Sequence, residues 1–133
     1  MEVQKLYLGI REEADDQTEY EDMMINYTDN VLKQKVFTEL EQNRFVRMMA
    51  EAAESFYKKN PSGMTEQQYE SICLRLLDIQ DFDNSEKWCI RLAKQYPDRL
   101  AAFTCKLKLY FIVRNKEAFF QTLDALKKSD VVI

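Results

Sequence analysis

The chain is 133 residues long, holds two Gly, two Pro and no His, and carries a formal net charge of −4. At this length typical usage would supply roughly nine Gly and seven Pro, so the composition argues against a turn-rich all-β chain and for a mostly helical one. The absence of His removes Ser-His-Asp and Cys-His nucleophile pairs, His-ligated zinc and imidazole acid–base chemistry, and the acidic balance disfavours non-specific binding to duplex nucleic acid.

Val3, Leu6, Tyr7 and Ile10 recur at i, i+3, i+4 and i+7, a short amphipathic helix with Gly9 inside it. A polar, acidic loop follows over 11–17. Thr18 with Glu21 has capping-box spacing and opens the next helical stretch. Tyr20, Met23, Met24, Tyr27, Val31, Val36, Phe37 and Leu40 keep a rough helical period, with a break expected near Gln42-Asn43. Phe45, Met48, Met49, Ala52, Ala53, Phe56 and Tyr57 resume it. Asn60-Pro61-Ser62-Gly63 is the clearest loop. Thr65 with Gln68 then caps a helix over 65–80, and Asp83 with Glu86 caps one over 83–96. Pro97 stops that helix. Asp98 caps a helix over 98–114 that runs through Leu100, Phe103, Leu107, Tyr110 and Phe111, and Asn115 caps a last one over 116–128. The expectation is six or seven helices and no strand.

The 46% apolar and 32% charged residues are an ordinary globular balance. The chain reads as one helical domain over 1–133: an N-terminal segment and acidic loop (1–17), N-terminal helices (18–61) and two helix pairs (65–133). No apolar run approaches the ~18 residues that span a bilayer, so no membrane insertion is expected. Nothing resembles a signal peptide, and three cysteines fit a reduced, cytoplasmic protein. Asn26-Tyr27-Thr28 is then a chance sequon. Charge is uneven: residues 1–41 hold 11 acids against 4 bases, and residues 42–133 hold 15 bases against 12 acids. The acidic run Glu12–Asp22 lacks the central Gly of a calcium loop and reads either as a solvated loop or as one that folds back on the basic late helices or attracts a basic partner. The end Ser129-Asp130-Val131-Val132-Ile133 reads either as a tail docked on the last helix or as the edge of a larger protein.

Shifting the chain by 34 residues lays Tyr69 on Phe103, Cys73 on Leu107, Leu76 on Tyr110, Cys89 on Leu123 and Leu92 on Leu126. With Pro97 at the closing position, this resembles the tetratricopeptide repeat. The resemblance implies antiparallel helix pairs stacked as a short right-handed superhelix. Leu107 stands where that family's tight helix–helix contact wants a small residue. Cys73, Cys89 and Cys105 are spaced by half a repeat, one per helix. Cys73 and Cys89 read as small buried residues and Cys105, in a different phase, as groove-facing. A second resemblance, carried by Leu6-Tyr7-Leu8-Gly9 and Tyr20-Glu21-Asp22-Met23, is to the bacterial transcriptional activator domain, which implies a regulatory domain of a transcription factor or signalling protein.

Neither a Gly-rich phosphate loop nor a short Cys pair of metal-ligand spacing occurs, so no enzyme activity, metal or cofactor is expected. The tetratricopeptide resemblance implies a groove lined by the first helices of each pair, here Glu70, Leu74, Leu77, Asp78, Thr104, Cys105, Lys108, Phe111 and Ile112. Glu70, Leu74 and Cys105 replace the basic and amide residues with which some family members clamp a C-terminal carboxylate. A mixed apolar and polar groove suits a helix or peptide of a protein partner, with a homo-oligomer as a further possibility and no direct nucleic-acid contact. Phe111 and Phe120 are the aromatics expected to be exposed, because Tyr110 and Phe119 already claim the core face.

Overall fold

The computed structural model describes residues 17–97 and 99–129. The expected helix over 3–10, the acidic loop through Asp16, the Asp98 cap and the tail 130–133 lie outside the described residues. Among the described residues the chain is all-helical: α1 (Gln17–Leu32), α2 (Glu39–Lys59), a 3-10 turn (Pro61–Gly63), α3 (Glu66–Asp78), α4 (Phe82–Gln95), α5 (Leu100–Ile112) and α6 (Lys116–Lys128). It divides into two compact units, Met1–Met64 and Thr65–Ile133.

In the first unit α1 packs against α2. Met24, Ile25 and Leu32 of α1 and Val46, Met49, Ala53 and Phe56 of α2 are buried, at the three- and four-residue spacing of one helix face. Thr28 is also buried; its hydroxyl donates back to the carbonyls of Met24 (2.7 Å) and Ile25 (3.1 Å), which satisfies it within its own helix.

Two expectations change here. The break between helices falls at 33–38 rather than at Gln42-Asn43. It is made without Gly or Pro: Lys35 takes a positive φ of 55°. Thr38 and Glu41 then form a reciprocal capping box, Glu41 N to Thr38 Oγ1 at 3.2 Å and Thr38 N to Glu41 Oε1 at 3.0 Å. The hydrogen bond from the Thr38 backbone, with one from its hydroxyl, holds the Glu41 carboxyl below the usual range. At the other end, α1 already starts at Gln17, so Thr18 lies inside the helix, and the Glu21 carboxylate bonds across to α2 instead of back to a cap.

In the second unit α3 packs on α4 and also on α5, α4 packs on α5, and α5 on α6. The core is Tyr69, Ile72, Cys73, Leu76 and Leu77 of α3, Trp88, Cys89 and Leu92 of α4, Ala102, Cys105 and Leu109 of α5, and Leu126 of α6. Tyr69 lies between Trp88 (ring centroids 5.9 Å apart) and Tyr96 (6.1 Å). Cys73 Sγ donates to the Ser85 carbonyl at 3.1 Å while Ser85 Oγ donates to the Cys73 carbonyl at 2.9 Å, a reciprocal tie between α3 and α4.

Both helix pairs of this unit use one turn. Gln80 and Arg114, 34 positions apart, both adopt left-handed backbone (φ 62° and 59°). The next residue reaches back into the preceding helix each time: Asp81 N to Leu76 O and Asn115 N to Tyr110 O, both at 2.9 Å. The same residue then caps the following helix, Asp81 Oδ1 accepting from Asn84 N (3.4 Å) and Asn115 Oδ1 from Ala118 N (3.1 Å). The cap of α4 is therefore Asp81, not the expected Asp83. The Thr65–Gln68 box of α3 and the Asn115 cap of α6 form as read. The N-cap of α5 is Arg99, whose side chain makes no cap bond and pairs with Glu66 at 2.9 Å.

Cys105 of α5, expected to face a groove, turns inward instead. Ala102, Cys105 and Leu109 are buried, Phe103, Leu107 and Tyr110 are half-buried, and Leu100 and Phe111 are exposed. This helix has apolar residues nearly all round, so its neighbours, not its period, decide which face goes inward.

Candidate functional site

The residues expected to line a groove separate into two groups. Leu77 and Cys105 lie in the core, 5% and 2% exposed, and offer no groove surface. Leu77 follows Leu76 into the α3 core, and Cys105 turns inward because α5 meets both α3 and α4. Glu70 and Leu74 are half-buried, and Asp78, Thr104, Lys108, Phe111 and Ile112 are exposed. Asp78 is 3.9 Å from Arg75, and Thr104 Oγ1 donates to the Ala101 carbonyl at 3.0 Å. Burial, with Cys105 and Glu66 nearby, pushes the Glu70 carboxyl above the usual carboxylate range. The α3 and α5 residues thus meet at Glu70 and Cys105, in a partly apolar setting.

Sequence spacing placed one cysteine per helix, and the structure brings all three together. Cys73, Cys89 and Cys105 are buried free thiols. The neighbouring Cys73 and Cys89 thiols, helped by the Lys108 charge, hold the Cys105 thiol below the usual range. Burial pushes Cys73 up, and the bond to Cys105 holds Cys89 up at about 12. Among the described residues no group of His, Cys, Asp or Glu is arranged to hold a metal ion.

The exposed apolar surface concentrates where α5 ends and α6 begins. Phe111 is 72% exposed and Phe120 58%, as their neighbours' burial led us to expect, and Ile112 and Val113 are exposed too. Phe119 bridges the two phenylalanines, 6.4 Å from Phe111 and edge-on to Phe120 at 5.5 Å. Lys108, Arg114 and Lys116 are exposed along the same stretch. Beside it, Phe103, Lys106, Tyr110, Ala118, Gln121, Thr122 and Ala125 line a pocket of about 260 Å³ between α5 and α6. Tyr110 donates to Glu86 Oε2 at 3.0 Å, and burial together with this bond pushes its phenol up to about 12.

A second pocket, of about 320 Å³, lies in the first unit and is lined by Tyr20, Glu21, Met24, Met48, Glu51, Ala52 and Ser55. Sequence reading missed it. Glu21 is only 6% exposed; its Oε1 accepts from Ser55 Oγ at 2.8 Å and pairs with Lys59, partners 34 and 38 positions away with no local signal. Tyr20-Glu21-Asp22-Met23 is thus a turn of α1 with a buried charge, and Leu6–Gly9 lies outside the described residues.

No helix among the described residues is long and apolar enough to cross a membrane. No protein-family model matches the chain, and no curated protein or solved structure matches it significantly.

Proposed function

We propose that the chain is a protein–protein interaction module whose second unit binds an amphipathic helix of a partner. The observation that carries this reading is the exposed Phe111–Ile112–Phe120 surface with Phe119 beneath it. Contiguous exposed aromatics are rare on a surface with no partner, and aromatic anchors dominate helix-in-groove recognition. The flanking Lys108, Arg114 and Lys116 select a helix with acidic residues beside its apolar face. Glu70, Leu74, Asp78 and Thr104 extend the surface along α3 and α5. The unit is read as two tetratricopeptide-like pairs. The turn recurring after 34 residues supports this, as does the contact of α3 with both α4 and α5, which stacked helical hairpins require.

The test is fluorescence anisotropy with amphipathic helical peptides that share one apolar face and carry acidic or basic flanks. The acidic-flank peptide binds tighter, and its affinity falls with added salt. Lys108→Glu with Phe111→Ala abolishes binding while far-UV circular dichroism stays unchanged, since both side chains are exposed. Equal binding of the two peptides, or full binding by the double variant, refutes the reading.

A further inference from the structure

The first-unit pocket has an imbalance that its own residues leave unresolved. Both donors to Glu21, the Ser55 hydroxyl and the Lys59 ammonium, reach Oε1. Oε2 is buried and has no hydrogen-bond partner among the described residues. Buried carboxylate oxygens are normally bonded, because losing water without gaining a donor is unfavourable. An exposed second carboxylate, Glu51, lines the same pocket. Among the described residues two carboxylates stand against one ammonium here, which leaves room for one more positive charge and at least one more donor.

The walls narrow the ligand class. Met24, Met48 and Ala52 present apolar surface, and unbranched thioether side chains adjust readily to an inserted group. Tyr20 adds an aromatic ring, which favours a cation over a neutral donor. An anion is repelled by both carboxylates. The volume of about 320 Å³ is at the lower end of ligand pockets, the size for one side chain rather than a nucleotide. A guanidinium on a slim aliphatic stem meets all these demands: several N–H donors in a fixed fork, no acceptor, a permanent charge and an apolar stem.

We propose that this pocket receives an arginine side chain from a partner peptide, a small turn of the Glu21 side chain letting the guanidinium donate to Oε2 and to Glu51 while its stem lies against Met24, Met48 and Ala52. Arginine then supplies the second cation beside Lys59 and completes the charge balance. The 13 acids against 8 bases of residues 1–64 would draw a basic partner towards this unit. The inference stands on the α1–α2 pocket alone and does not depend on the aromatic surface of the second unit.

The experiment is a ¹⁵N-HSQC titration of the full chain with N-acetyl-arginine methylamide, beside the citrulline analogue, which keeps the shape and loses the charge. Shifts confined to residues 20–24 and 48–55 are expected, with arginine binding about tenfold tighter than citrulline. Ala52→Leu fills the pocket without touching Glu21, Ser55 or Lys59 and removes the shifts. Glu51→Gln weakens binding several-fold, and Glu21→Gln abolishes it. The Lys108→Glu, Phe111→Ala variant binds the probe as the parent does, which separates this site from the helix-binding reading. If Glu21→Gln fails to fold, Ala52→Leu and Glu51→Gln still decide. Equal binding of arginine and citrulline, no shifts at saturating probe, or unaltered binding by Ala52→Leu overturns the proposal.

Discussion

Leu92, fully buried on α4, is the sharpest place to test how the second unit is packed. Leu92→Asp removes the leucine's contacts, a loss of about 2–5 kcal/mol for a large-to-small change in a core. It also puts a carboxylate into the core, which adds several kcal/mol more even after relaxation. A unit of about 70 residues has only roughly 3–10 kcal/mol of stability to lose. The two penalties together match or exceed that, so the variant unfolds the unit at 25 °C. Thermal melts followed by circular dichroism at 222 nm, with amide dispersion in an HSQC spectrum, report the outcome. Leu92→Ala keeps the fold but loses about 2–5 kcal/mol. Ile90→Asp, two positions away and 53% exposed, stays within about 0.5 kcal/mol of the parent. An unchanged melting temperature in Leu92→Asp, or equal damage from Ile90→Asp, would refute the assignment of the buried face of α4.

Gln80→Gly and Arg114→Gly should each stabilise the chain by about 0.5–1 kcal/mol, since relief of left-handed backbone outweighs the added freedom of the unfolded chain; urea melts of the two singles and the double check this, and gains that differ between sites would show that the turns are not equivalent. Tyr110 ties stability to alkaline pH: its folded pKa, raised to about 12, exceeds the ordinary value of 10, so the folded state holds the proton more tightly. That contribution is complete below pH 10 and is lost as pH rises through about 12, and Tyr110→Phe should flatten this part of the pH–melting profile. Identical profiles for the two proteins between pH 9 and 12 would be the contrary result.

Much of the second unit was legible from residues alone. Thr65-Glu66-Gln67-Gln68 and Asn115 are local capping signals that act within one turn, so short-range reading finds them. Where tertiary contacts choose between local options, sequence reading went astray. The α1–α2 break was misplaced because Lys33–Phe37 contains no Gly or Pro, and its stop depends on Lys35 accepting a positive φ. The face of α5 was misjudged because Phe103, Cys105, Leu107 and Leu109 are all apolar, and only packing on α3 and α4 turns Cys105 inward. The same packing removed Leu77 and Cys105 from the candidate groove, while Phe111, Phe120 and Lys108 are exposed at the surface. Glu21 was opaque for a different reason: a buried carboxylate is defined by partners on another helix, and no local pattern announces it.

The meeting of Cys73, Cys89 and Cys105 has a consequence for the unfolded chain. In the folded protein the three sulfurs are sealed from dissolved oxidants. Once the second unit opens, each thiol lies 16 residues from the next, a loop short enough to close readily. In air, either neighbouring pair then oxidises to a disulfide that opened helices form without restraint. Closed before the helices reassemble, such a link diverts the chain from its native packing, so unfolding and refolding remain a reversible pair only while a reductant keeps all three thiols free.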